Sequence, residues 1–153
     1  MQLITDLKKT QTKTLAYFDL SEADLNKSYA PGKWTIREML HHLTDAETVL
    51  YERVRRIISK PDQVIWGFDQ NLWARHLEYN TLPLSLNKAV YKSVRDNVIF
   101  LAEKYYVSHG KHTFVHNETG RRTLKDEFDK IPAHNAQHLS QIESALMMGK
   151  NLA

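Results

Sequence analysis

Cysteine is absent from this chain of 153 residues. Its absence excludes disulfides, thiolate metal ligands and any protein-borne cysteine nucleophile. No apolar run approaches the roughly 18 residues that a membrane span needs. The first residues, Met1 to Lys9, are amphipathic and lack the basic head and apolar stretch of a secretory signal. The expectation is a cytoplasmic protein without membrane contact. A strong charge of one sign is also missing. The 21 basic residues are offset by 18 acidic ones, for a formal net charge of +3. The densest basic runs, Arg53-Val54-Arg55-Arg56 and Arg121-Arg122, are short and read as solvated faces, so no nucleic-acid partner is expected. Internal repeats and low-complexity segments are absent too. At this length a single domain over residues 1–153 with a sizeable core is the expectation.

Helical periodicity is plentiful. One helix fits Gln2 to Leu20, with Leu3, Leu7, Thr10, Thr14 and Phe18 on one face. Ser21-Glu22-Ala23-Asp24 caps a short turn, and Pro31-Gly32 breaks the chain. Thr35 with Glu38 three residues on forms a capping box. From it a helix runs to about Ser59, where Lys60-Pro61 ends it. Its stripe is Ile36, Met39, Leu40, Leu43, Ala46, Leu50, Val54 and Ile57. Residues 60–81 form a long aromatic-rich connection (Trp66, Phe68, Trp73, Tyr79) with a short helix near 71–78. Connections of this length often carry function.

A third long helix fits Pro83 to about Tyr106, with Leu86, Val90, Val94, Ile99 and Leu101 as its apolar positions. Residues 111–122 alternate and turn at Asn117-Glu118-Thr119-Gly120, which predicts a small β-hairpin or extended loop. The last helix opens at Thr123, carries Pro132, which predicts a kink, and is expected to end at Gly149. The fold expectation is all-α: a four-helix bundle with a small hairpin before the last helix.

Eight histidines are present, and their phase is informative. His134 and His138 stand one turn apart on the apolar side of the last helix, with Ile131, Ile142 and Ala145. On the second long helix His42 lies about a quarter turn from the stripe centre and points into an interhelical cleft. His41 falls on the opposite side and is expected to face water. Three inward histidines and an open position suit a divalent metal, with a water or substrate completing the shell. Hydrogen-bonded core histidines are the alternative reading. Imidazole donors suit zinc or nickel first, with iron or manganese also compatible.

Three segments resemble the DinB-like superfamily, in particular its branch of YfiT-type metal-dependent hydrolases. Gly32 to Glu47, with Trp34 and His42, resembles the family's motif around its first metal-binding histidine. His134 to Ile142 resembles its closing His-x-x-x-His segment. Phe114 to Gly120 is similar to its His-Pro-Glu-x-Gly turn, although Asn117 stands where relatives often have proline.

The resemblance implies an up-down-down-up bundle, a divalent metal on His42, His134 and His138, and a homodimer. Some relatives transfer bacillithiol or glutathione or catalyse mycothiol-dependent isomerisation. The partners implied are therefore a small-molecule thiol, an electrophile, or both. The family name is no argument for DNA chemistry. Glu47 occupies a position where relatives often carry a histidine or glutamate. Two readings of it are open: a base or supporting residue near the metal, or an ion pair with a cation from a neighbouring helix. Trp34 reads as a staple or lid. Trp66 and Trp73 line a pocket mouth or cover the core. Asp45 either orients a neighbour or is solvated. His76, His109, His112 and His116 read as surface residues, His116 being singled out by the turn motif. The functional expectation is a metal-dependent thiol transferase or hydrolase. A non-catalytic metal- or small-ligand-binding stress protein is the competing reading.

Overall fold

A computed structural model describes residues 1–148. The expected helix end at Gly149 lies outside the described residues. Four long helices dominate: α1 (Gln2–Tyr17), α3 (Ile36–Ser59), α5 (Leu84–Tyr105) and α6 (Leu124–Met148). Two short helices, α2 (Glu22–Leu25) and α4 (Gln70–His76), lie in the connections. Pro132 lies inside α6. Strands β1 (Val64–Ile65), β2 (Thr113–His116) and β3 (Gly120–Thr123) form one sheet in the order β1-β2-β3. The hairpin β2–β3 is the one expected from the alternating pattern. The parallel pairing of Val64 with Val115 and Ile65 with His116 was not expected. A two-residue strand is too short for periodicity to reveal.

Cross-helix pairs define the topology. Lys8 meets Glu103, Gln11 meets Asp96 and Lys88 meets Asp19, so α1 and α5 run antiparallel. His42 meets His134 and Arg53 meets Glu127, so α3 and α6 are antiparallel as well. Thr44 and His41 meet Asn87 while Glu47 meets Arg95, which makes α3 and α5 parallel. The long helices therefore run up, down, down, up. Each of α1 and α3 packs against both α5 and α6.

The core has two apolar layers. One gathers Leu3, Leu7, Leu50, Val54, Val98, Phe128 and their neighbours. The other gathers Phe18, Ile36, Met39, Leu40, Tyr91, Ile142 and Ala145. Between them, every long helix contributes polar residues to a belt: Thr10 and Thr14 of α1, His42 and Glu47 of α3, Arg95 of α5, and Asn135 and His138 of α6, all buried. The belt is hydrogen-bonded. Thr14 Oγ1 donates to Asn135 Oδ1 at 2.9 Å, and Asn135 Nδ2 donates to Tyr91 Oη at 3.1 Å. Burying polar groups costs little only when they are paired in this way.

Three expectations about burial are corrected. Leu86 and Val90 are exposed, at 61% and 41%. The inward face of α5 is instead Tyr91, Arg95, Val98, Ile99 and Ala102. A buried arginine on that face displaced the apparent stripe. Arg53 is 3% exposed rather than solvated, although its neighbours Arg55 and Arg56 are exposed. His41 is fully buried rather than facing water. Its ring packs against Tyr79 with centroids 5.4 Å apart, and its Nδ1 accepts from Asn87 Nδ2 at 2.8 Å. The connection after α3 folds back over that side of the helix, so the outer face of the bundle there is not the surface of the protein.

Candidate metal centre

The site begins at the start of α3. Thr35 Oγ1 accepts from the Glu38 amide at 3.2 Å, and Glu38 Oε2 accepts from the Thr35 amide at 2.7 Å. This reciprocal box fixes the first turn. A bridge between Ser28 and Thr35 closes the preceding turn, in which Gly32 has φ +70°, a value that favours glycine. The two features together set Trp34 beside the helix and His42 almost two turns along it.

His42, His134 and His138 come together. One ring nitrogen from each lies within 4.8 Å of the other two. The ring centroids are 5.1, 4.8 and 4.7 Å apart. His42 Nε2 and His134 Nε2 face each other at 3.1 Å. Two nitrogens that each sit about 2.0–2.1 Å from a tetrahedral zinc lie about 3.3 Å apart, so this spacing fits shared ligation. His138 Nδ1 lies 2.8 Å from Gln141 Oε1, an acceptor. That bond places the ring proton on Nδ1 and leaves Nε2 with its lone pair free, as a metal ligand requires.

The electrostatics agree with the geometry. Burial, and the mutual repulsion of the rings if charged, push His42 down to about 3. The same causes, joined by Lys130, push His134 down to about 4. Burial lowers His138 as well, against the opposing bond to Gln141. All three are therefore neutral near pH 7, the state in which imidazole binds a cation. Three clustered neutral imidazoles without a cysteine or carboxylate among them make a donor set for a borderline divalent metal.

Aromatic rings enclose the cluster. Trp34 lies 4.9 Å from the His42 ring and 6.5 Å from that of His138, and Phe68 lies 6.4 Å from His42. Phe68 is in turn buttressed by Trp73 at 4.8 Å. The aromatic connection thus reaches the site through Phe68, while Trp66 is 72% exposed. On the Trp34 side a cavity of ≈ 390 Å³ reaches His134 and His138, bordered by Tyr29, Gln70 and Gln137.

Glu47 has its place in the polar belt. Its two oxygens accept from Arg95 Nε at 2.6 Å and Nη2 at 2.7 Å. Arg95 Nη1 also donates to the Leu7 carbonyl and to Thr10 Oγ1. Glu47 lies outside the histidine group. Of the two readings left open by the sequence, the structure shows the ion pair. Asp45 accepts a short hydrogen bond from the Tyr79 hydroxyl, so it orients the residue that covers His41.

His76 is exposed and His109 and His112 are half-buried, but His116 is only 5% exposed. The Glu118 amide donates to its Nδ1 at 3.2 Å, across the turn that the sequence singled out. In the same turn Asn117 Oδ1 accepts from the Gly67 amide at 2.7 Å. The asparagine that replaces the usual proline thus ties the hairpin to the connection after α3. Arg53 Nη1 donates to Glu127 Oε1 at 3.2 Å and Nη2 to the Trp66 carbonyl at 2.8 Å. Arg53 shares the α3 stripe with Leu50 and Ile57, and its charge rather than its phase led to a solvated reading, whereas His116 sits in a hairpin with no helical phase to read.

Residues 6–142 match the model of the DinB superfamily. The chain belongs to that superfamily. A protein of Oceanobacillus iheyensis, provisionally named a metal-dependent hydrolase, is 28% identical over 141 residues, covering 92% of this chain and 80% of its own. A second protein of that organism with the same provisional name is 26% identical over 127 residues, covering 83% and 73%. A Bacillus cereus protein so named is 26% identical over 144 residues, covering 94% and 82%. Among solved structures, YfiT from Bacillus subtilis superposes with a TM-score of 0.87, over 97% of this chain and 86% of that one. It is described as a probable metal-dependent hydrolase with an unusual four-helix bundle topology. At 22% identity this likeness speaks for the fold. Here α1, α3, α5 and α6 form a four-helix bundle in the order up, down, down, up.

Proposed function

We propose that this DinB superfamily protein holds one divalent metal on His42, His134 and His138 and uses it to transfer a small-molecule thiol to a small electrophile. The observation that carries the reading is the convergence of three neutral imidazoles with a cavity beside them. A bound divalent ion supplies charge that stabilises a deprotonated nucleophile at neutral pH. The chain has no cysteine, so a thiolate has to come from a cosubstrate. His138, with its proton held on Nδ1 by Gln141, presents Nε2 in a fixed orientation. Trp34 and Phe68 cover part of His42 with apolar surface, which favours a soft, weakly hydrated thiolate over hydroxide as the nucleophile. The cavity bordered by Tyr29, Gln70 and Gln137 holds the electrophile next to His134 and His138.

Hydrolysis is the second reading. The same three ligands would activate water, and the provisional names of the relatives favour it. The two are separated by screening metal-loaded protein against haloalkane or epoxide electrophiles with and without thiol, and against simple esters and amides. Thiol-dependent loss of electrophile is the expected result. Turnover of esters without thiol would favour hydrolysis. Failure to retain metal after its re-addition would end both.

A further inference from the structure

A second pocket, of ≈ 260 Å³, adjoins the metal ligands from the side of the sheet and shares His42 and His134 with them. Arg53, His116, Thr119 and Lys130 line it. Arg53 is 3% exposed, and a guanidinium carries five N–H donors. Nη1 uses one on Glu127 and Nη2 uses one on the Trp66 carbonyl. Nε is buried without a partner. The arginine is therefore held rigidly yet underused, an unusual state for a buried charged group. His116 accepts at Nδ1, which leaves its proton on Nε2 as a further donor. Lys130 is exposed and adds a cation at the rim.

We infer that this pocket is a subsite for a single carboxylate group of a substrate whose reacting atom sits at the histidine cluster. A planar carboxylate suits a guanidinium with spare, fixed donors. The charge balance limits the class. Glu127 offsets Arg53, and Glu118 borders the same pocket as Lys130. A doubly charged phosphate would meet those two acids, whereas a monoanion that accepts hydrogen bonds would not be excluded by them. This inference takes the position of the reacting atom from the metal reading, but the subsite itself is built from other residues.

The test compares 3-mercaptopropionate with 3-mercaptopropionamide, which carry the same thiol and differ in charge. Affinities for metal-loaded protein are measured by calorimetry, with metal content determined on the same samples. About a tenfold preference for the carboxylate is expected, the size of one charge-assisted hydrogen bond. It should shrink to about threefold or less in Lys130→Gln, an exposed position, and in Arg53→Lys, which keeps the charge facing Glu127. Equal affinity of the two probes together with no effect of propionate at Arg53 overturns the inference. So does a preference that both variants leave intact, since the carboxylate would then be on the metal. Propionate added alone should shift the Arg53 Nε–H resonance where propionamide does not, and this readout needs no metal. No shift with propionate overturns the subsite even where metal binding holds. With 2-mercaptoethanol on the metal, a persisting propionate shift assigns the carboxylate to the electrophile. Its displacement assigns the carboxylate to the thiol.

Discussion

Three side chains make up the proposed metal site, and each should be necessary for it. Replacing His138 with alanine leaves two imidazoles, too few for an open site of this kind. Metal content should fall from about one equivalent per chain to near zero, read by elemental analysis of purified protein. His134→Ala should do the same, while His76→Ala, an exposed histidine, should not. Acid gives a second check. His42 and His134 are held at about 3 and 4, below the ordinary value near 6.5. Between those limits the unfolded chain binds protons that the folded chain does not, so the stability of metal-free protein falls as pH drops from about 6.5 toward 4. Denaturant midpoints measured across that range should decline steadily, and the His42→Ala, His134→Ala double variant should reduce the slope, of which His41, His138 and His116 keep a part. His42 and the His134/His138 pair were legible from sequence because helical phase puts them on faces toward the bundle core. His41 and His116 were not, because their cover comes from a connection, a turn and a short strand that have no period to read. Arg53 shares the stripe of Leu50 and Ile57, and its charge, not its phase, led to a solvated reading.

At the level of elements, α3 carries most of the organisation. Its capping box positions His42, and its middle supplies Glu47 to the polar belt. Thr35→Ala should cost about 1 kcal/mol in a thermal or urea melt. The belt has larger stakes. Removing the guanidinium in Arg95→Ala strands a carboxylate that is 3% exposed, which should cost about 3–5 kcal/mol. Glu47→Ala should cost a similar amount, and the double variant much less than the sum, because the stranded partner is gone. The pair also explains the misread phase of α5. The expected stripe took Leu86 and Val90 as inward and left Arg95 out, yet Arg95 faces the core with a bidentate partner on α3. The ends of α1 and α4 were misjudged by a few residues, the ordinary fraying of helix boundaries.

Across the whole molecule, two apolar layers surround a polar one, and the order up, down, down, up sets α3 and α6 antiparallel side by side. His42 and His134 are consequently neighbours in space although 92 residues apart in the chain. An unfolded chain keeps only the local pair His134 and His138 together, and closing so long a loop opposes recruitment of the third imidazole. The complete ligand set thus exists only after folding. With a metal bound there as proposed, uptake and folding would be one linked equilibrium, worth about 2.7 kcal/mol when free metal exceeds its dissociation constant a hundredfold. Denaturation midpoints should climb with free metal and fall back on chelation. If metal binds as proposed, the fraction of chains that remain folded would rise and fall with the supply of free metal.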